Sequence, residues 1–232
     1  MNRNNVWLIT AKTNLHVGNE NTSSYGLIDK AIQRDAVTGL PCIDSSSLKG
    51  AINEWATNET NLSDDERIKV FGCDKSDKKK DTKKGQYIFF DANIVAIPQQ
   101  LTDNSGKLYR MVTCLKVLNL FVAKLIALGV AISTDDLKTA AKAEIIDDKE
   151  FESLCSDDNL PIIARNCREN GMSANLWYEQ ILPAETVLFT VIDDKGCNTL
   201  SSKMNNAIIQ IGANATIGYG YCEFKNLYFC AL

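Results

Sequence analysis

Apolar positions along the chain change their period several times, and each change marks an element. Residues 6–13 (VWLITAKT) are mostly β-formers, loosely alternating, with a polar exit, and predict a strand. Residues 14–44 are rich in Gly, Asn and Ser and predict a loop; one that long inside a compact domain is usually functional or disordered. Beyond it, Leu48, Ala51, Ile52 and Trp55 fall at i, i+3, i+4 and i+7, and Ser45, Ser46 and Ser47 offer N-caps, so a helix opens there. Residues 60–85 read as a surface insertion. Residues 86–97 (QYIFFDANIVAI) predict a strand that Pro98 stops. The run 113–129 predicts a long helix ending at Gly129. Lys116, Asn119 and Lys124 lie on one face of it, which makes it an amphipathic core helix and not a membrane span.

The second half is less regular. Residues 133–158 predict a solvated helical segment. In 159–180, Pro161, Gly171 and two aromatics predict an irregular excursion or a hairpin. Residues 185–193 (ETVLFTVID) form a strand. Met204, Ala207, Ile208 and Ile211 predict a second amphipathic helix closed by Gly212, then a loop over 213–220 and a last strand over 221–229. The two ends of the chain thus read strand–helix–strand twice. That pattern predicts an α+β fold with a ferredoxin-like, RRM-type core in a single domain, 1–232, carrying insertions at 60–85 and 133–182.

Composition narrows the function classes. With 232 residues, 45% of them hydrophobic and 23% charged, the chain can bury one ordinary core and is neither disordered nor collagen-like. A net charge of −4 excludes a global polycation wrapped by nucleic acid, but not a local basic groove. Residues 74–84 hold six Lys and three Asp, whereas 133–158 hold nine acidic residues against three Lys. The eight cysteines include no CxxC pair and His16 is the only histidine, so no zinc-ligand pattern exists. No secretory signal follows Met1. The expectation is a cytoplasmic protein with reduced thiols, several of them small core residues.

The unusual residues cluster at 16–50, HVGNENTSSYGLIDKAIQRDAVTGLPCIDSSSLKG: an H-x-G loop, then I-D-x-x-I-Q-R-D, T-G-L-P, and S-S-L-K-G opening a helix. This segment resembles the start of the RAMP superfamily of CRISPR proteins. With the later NLWYE at 175–179 and the glycine-rich IQIGANATIGYG at 209–220, the chain is similar to the repeated backbone subunit of type III-B (Cmr) effectors. Asp44-Ser45 replaces the commoner Pro-Gly before S-S-L-K-G, and Ala213 stands where a second Gly is usual.

The resemblance implies an RRM-like palm with an inserted β-hairpin thumb. Copies stack along a guide RNA, beside other RAMP subunits, and present it to a complementary target RNA. It also implies that the loop aspartate, here Asp29, supports metal-dependent cleavage of that target at regular intervals, with Mg or Mn as the divalent cation. RNA carries its own nucleophile, the 2′-hydroxyl, so a carboxylate that takes its proton or holds a cation suits the reaction. His16 is then a candidate proton carrier, and Glu179 a candidate second carboxylate.

Arg34, Ser47 and Lys49 are candidate guide contacts, the last two at a helix N-terminus. Gly212, Gly218 and Gly220 would let backbone approach phosphates closely. Plainer readings stand beside these. Asp29 can be a turn aspartate, His16 a backbone partner, Ser47 a cap, Lys49 a solvated lysine, Arg34 a surface arginine and the glycines a turn. The competing function is a non-catalytic guide-binding scaffold, or the related type III-A backbone subunit. A nucleotide-binding enzyme fails, because these glycines follow a predicted helix and precede a strand, the reverse of a Rossmann or P-loop order.

Overall fold

The computed structural model describes residues 5–18, 28–73, 83–102, 106–169 and 172–227. Strand β1 (Val6–Ala11) is buried along its whole length, which is why its apolar run hardly alternates. After the long loop come β2 (Cys42–Ile43) and α1 (Ser45–Glu59), which buries Leu48, Ile52 and Ala56. Its N-cap is Asp44, whose side chain makes no cap bond, so the three serines lie in the first turn. Helix α2 (Asp64–Phe71) opens on a Ser63/Glu66 capping box and buries Ile68, Val70 and Phe71. The first part of the 60–85 segment is therefore a core helix, not a surface insertion. Most of the lysine run lies outside the described residues.

The chain continues through β3 (Gly72–Cys73), β4 (Lys83–Lys84), β5 (Ile88–Phe89), β6 (Ala92–Gln100), β7 (Tyr109–Cys114), α3 (Leu115–Ala127), α4 (Thr134–Ala141), β8 (Glu144–Ile146) and α5 (Asp148–Leu154). Then follow the strands β9 (Ile162–Glu169), β10 (Met172–Gln180) and β11 (Val187–Asp193), helix α6 (Ser201–Met204), β12 (Ile208–Gln210) and β13 (Tyr221–Asn226). The main sheet runs β12-β13-β1-β11-β6-β7-β8, with β2 paired to β6 and β5 to β11. All its pairings are antiparallel except β7 with β8. One contiguous core, built around Trp7, Leu118, Phe151, Phe189 and Phe224, underlies it. Among the named strands, β9 and β10 pair with each other, as a hairpin, one of the two forms expected for 159–180.

Several expectations are corrected. Pro98 does not stop β6, because it lies beyond the last rung to β11 (Val187↔Ala96) and pairs across to Met111 of β7. On that side β6 has become an edge, where a missing N–H is tolerated. Thr113 and Cys114 belong to β7, and the helix starts at Leu115. A continuous apolar run does not tell strand from helix by periodicity.

The acidic segment is not solvated throughout. Leu137, Ala141, Phe151 and Cys155 are buried, and β8 completes the sheet alongside β7. The second amphipathic helix shrinks to α6. Asn206 takes the left-handed conformation (φ 63°), which breaks the helix, and the β-branched Ile208 and Ile209 pair with β13.

Candidate nucleic-acid interface

After β1 the chain leaves the sheet and is held by backbone pairing of Leu15 with Leu182 (2.9 and 2.8 Å). The next residues lie directly against the glycine-rich loop. Ala213 N–H donates to the His16 carbonyl (3.0 Å), Gly220 N–H to the Asn14 carbonyl (2.8 Å), and Ile211 N–H to the Gly220 carbonyl (2.8 Å). Glycine is required at two of these positions. A Cβ on Gly212 (φ 80°) would lie 2.2 Å from the His16 carbonyl oxygen, and one on Gly220 (φ 78°) 2.0 Å from that of Ile211. Their close approach is to protein backbone. Gly218 differs: at φ 83°, with nothing near its absent Cβ, it caps the exposed turn Ala215–Ile217 and leaves open space beside the loop.

Beneath this contact lies a buried polar node centred on Glu179, whose side chain is 1% exposed. Its Oε2 accepts from Arg165 Nε (2.9 Å) and Asn214 Nδ2 (2.8 Å); its Oε1 faces His16 Nε2 (3.7 Å) and Lys30 Nζ (3.9 Å). Arg165 stacks on the Tyr219 ring (4.7 Å) and Lys30 lies over Trp177 (5.0 Å). One carboxylate thus ties the β9–β10 hairpin to the glycine-rich loop and to both ends of the 16–30 loop. His16 is itself buried, and its Nδ1–H donates to the Gln180 carbonyl at 2.6 Å. Gly18 leaves room for the imidazole, since a Cβ there would sit 3.2 Å from Nε2.

The expected catalytic trio is therefore not brought together at one surface. Only Asp29 is exposed. Its Oδ2 accepts from Tyr178 N–H (2.7 Å), while the Asp29 and Lys30 amides donate to the Tyr178 carbonyl (3.0 and 3.1 Å). Gln180 N–H closes the clamp on the Lys30 carbonyl (2.9 Å). Side chains alternate along β10, so Tyr178 is exposed beside Asp29 while Glu179 points inward. Expected to touch substrate, His16 and Glu179 instead brace the loop from below. Burial withdraws them from a substrate, and each already holds protein partners.

The expected guide contacts also separate. Arg34 is spent on protein: Nε and Nη2 grip Asp157 (3.0 and 2.6 Å), and Nη1 donates to the Gly39 and Cys155 carbonyls (2.8 and 2.9 Å). Burial alone would raise the Asp157 carboxyl, but the Gln180 amide and Arg34 outweigh it and hold it below its ordinary value. Ser47 Oγ accepts from Gln33 Nε2 (3.1 Å), whose Oε1 accepts from Asp44 N–H (2.8 Å). Lys49 has no ion-pair partner among the described residues and faces a cleft.

Among the described residues no cluster of three His, Cys, Asp or Glu could hold a metal by itself. Asp29, with one oxygen that accepts no hydrogen bond from the described residues, is the exposed carboxylate that could hold a divalent cation. No described helix is long and apolar enough to cross a membrane. No disulfide joins the described cysteines. Burial pushes the thiols of Cys42, Cys155 and Cys222 up to about 12 and that of Cys114 up to about 11.

Sequence reasoning missed Lys30, Asn214, Asp157 and Gln180 as parts of this site. Lys30 adjoins Asp29 and Asn214 sits in the glycine-rich loop, so both were in view. Their partners are far away in sequence, and no spacing betrays such contacts.

The RAMP superfamily model matches residues 8–223. The chain is 23% identical over 264 aligned residues to the CRISPR system Cmr endoribonuclease Cmr4 of Pyrococcus furiosus, covering 85% of this chain and 88% of that protein. Among solved structures, a chain of the type III-B Cmr-beta complex bound to cognate target RNA superposes with a TM-score of 0.78 at 21% identity, covering 97% of both chains. The oligomeric Cmr4 crystal structure from P. furiosus gives 0.68 at 20% identity, over 95% of this chain and 96% of that one.

Proposed function

This chain belongs to the RAMP superfamily, and from that premise we propose that it is the backbone subunit of an RNA-guided type III-B effector. Copies stack along a guide RNA with other RAMP subunits, and each cuts the paired target RNA once, through Asp29, so that cuts recur at a regular interval. The relative's endoribonuclease name and the target-bound complex among the similar structures support this reading. So does the strand order β13-β1-β11-β6, which suits a ferredoxin-like palm with β9–β10 as its thumb.

The observation that carries the reading is the exposed Asp29 carboxylate, fixed at Oδ2 by the Tyr178 amide while its other oxygen accepts no hydrogen bond from the described residues. Catalysis needs the 2′-oxygen, the phosphorus and the leaving 5′-oxygen in line, and A-form geometry does not place them so. A hairpin that splays a nucleotide beside Tyr178 would bring the kinked ribose to Asp29. There the carboxylate takes the 2′-hydroxyl proton as the oxygen attacks phosphorus and the P–O5′ bond breaks, giving a 2′,3′-cyclic phosphate and a 5′-oxygen that takes its proton from water as a 5′-hydroxyl. A divalent cation held between Asp29 and the phosphate would supply charge neutralisation. His16 and Glu179 serve as positioning residues, because both reach Asp29 only through the loop and hairpin they brace.

The test uses the assembled complex with a target bearing one deoxyribose 5′ of a scissile phosphate. That cut alone should vanish while its neighbours continue. Asp29→Asn should remove every cut with target binding intact. Undiminished cutting by Asp29→Asn would leave a guide-binding scaffold, and a 5′-phosphate product would mean that water is the nucleophile.

A further inference from the structure

Gln180, the last residue of β10, is fully buried, and each of its polar groups bonds outside its own hairpin. Its N–H donates to the Lys30 carbonyl (2.9 Å), and its carbonyl accepts from His16 Nδ1 (2.6 Å). The side-chain Oε1 accepts from Ile32 N–H (3.3 Å), while Nε2 donates to Asp157 Oδ1 (3.0 Å). Residues 16–18 and 30–33 also hold each other, Gln33 N–H donating to the Val17 carbonyl (2.9 Å). Gln180 thus sits where both ends of the loop meet. Asp29 lies between two anchors, the Tyr178 amide at its own carboxylate and Gln180 at the residues just beyond it.

The Gln180 amide is matched to its place. One neighbour is a carboxylate, which needs a donor, and the other a backbone N–H, which needs an acceptor. An uncharged amide offers both at once. Glutamate would set a second anion against Asp157, and an apolar side chain would leave the buried Ile32 N–H without this partner. The far end of the bridge is firm. Asp157 Oδ1 also accepts from Arg34 Nε and Nη2, five residues along the chain from Asp29. Its turn, between α5 and β9, is closed by Leu160 N–H on the Ser156 carbonyl (3.0 Å) and Asn159 Nδ2 on the Ser153 carbonyl (2.9 Å). Phe151 and Leu160 bury that turn against the core.

We propose that Gln180 is a positioning residue for the cut: it ties the Asp29 loop to the α5–β9 turn and so fixes where the carboxylate stands. This rests on the reading that Asp29 cuts. Because Gln180 is buried and acts through Asp29, it governs the rate of cutting and not the affinity for target. A shift of about 1 Å in a reacting group is enough to cost a large factor in rate.

The experiment measures single-turnover cutting and target affinity in the assembled complex, and hydrogen exchange over residues 28–34 in the isolated full chain. Gln180→Met, close in shape but without polar atoms, should slow cutting roughly 10- to 100-fold with target affinity unchanged. The same variant should speed exchange over 28–34. Gln180→Glu should also slow cutting. Q180E/D157N, which restores a donor facing an acceptor and the net charge of the trio with Arg34, should recover most of the lost rate. Wild-type cutting and exchange in Gln180→Met overturn the role of Gln180 while leaving Asp29 as the cutter. A matching loss of target affinity overturns it too, because Gln180 would then brace the RNA-binding face. A double variant no faster than Gln180→Glu overturns the match of amide polarity on which the role is argued. A wild-type complex that does not cut, with exchange responding as expected, overturns the cutting reading and this proposal with it.

Discussion

Replacing Glu179 by Gln tests whether the buried node holds the site together. The substitution keeps shape and one acceptor oxygen but removes the charge that answers Arg165, whose side chain is only 17% exposed. Asn214 and Arg165 both donate to Oε2, so Gln keeps them only with its oxygen on that side, which turns its amide nitrogen toward the Lys30 ammonium. Breaking a buried pair from one side costs about 3–5 kcal/mol. At about 2–4 °C per kcal/mol for a chain of this size, the melting temperature should fall by roughly 6–20 °C. Thermal and urea melts of the isolated protein measure it. Glu152→Gln, which removes the partner of the exposed Lys116, is the control and should leave the melting temperature nearly unchanged, because solvent screens that pair. Joint replacement of Glu179 and Arg165 by Leu should recover much of the loss, because no charge is then stranded. A Glu179→Gln protein that melts with the surface control would refute the claim that this carboxylate is the keystone of the loop.

Other consequences follow from single contacts. Gly212→Ala should disrupt the loop by well over 2 kcal/mol, whereas Gly218→Ala, equally left-handed but open, should cost about 1–2, as paired melts would show. In native protein, iodoacetamide followed by mass spectrometry should label the exposed Cys167 and spare Cys42, Cys114, Cys155 and Cys222; rapid labelling of those four would contradict their burial. Asp157 is held below its ordinary value of 3.8, so its contribution is full at neutral pH and fades as pH falls through its folded-state value. Asp157→Asn should therefore flatten the acid limb of stability against pH, and an unaltered limb would remove Asp157 from that account. Phe151→Ala should cost about 3–5 kcal/mol in urea melts, since its ring is fully buried under the segment expected to be solvated.

What the sequence determined by itself was whatever repeats over a few residues. The strand at β1, the apolar face of α1, the core strand β11 and the chemical cluster at 16–50 are local patterns, legible because burial of one face imposes a period. Thr113, Cys114 and the segment around Ile208 were misread because a short apolar run satisfies helix and strand alike. Only pairing with β8 and β13 decided them. Pro98 was a local stop signal that edge position overrode.

The site divides in the same way. Asp29 stood out from its motif, but its motif could not say which candidates share its surface. Tertiary structure turned Glu179 inward, gave His16 to a carbonyl and Arg34 to Asp157, and left Lys49 facing a cleft. A side chain's partner comes from a segment 100 or more residues away in three of these contacts, His16–Gln180, Asp29–Tyr178 and Arg34–Asp157. Such partners are chosen by how the sheet and hairpin pack, and that choice is not written in the spacing of either segment.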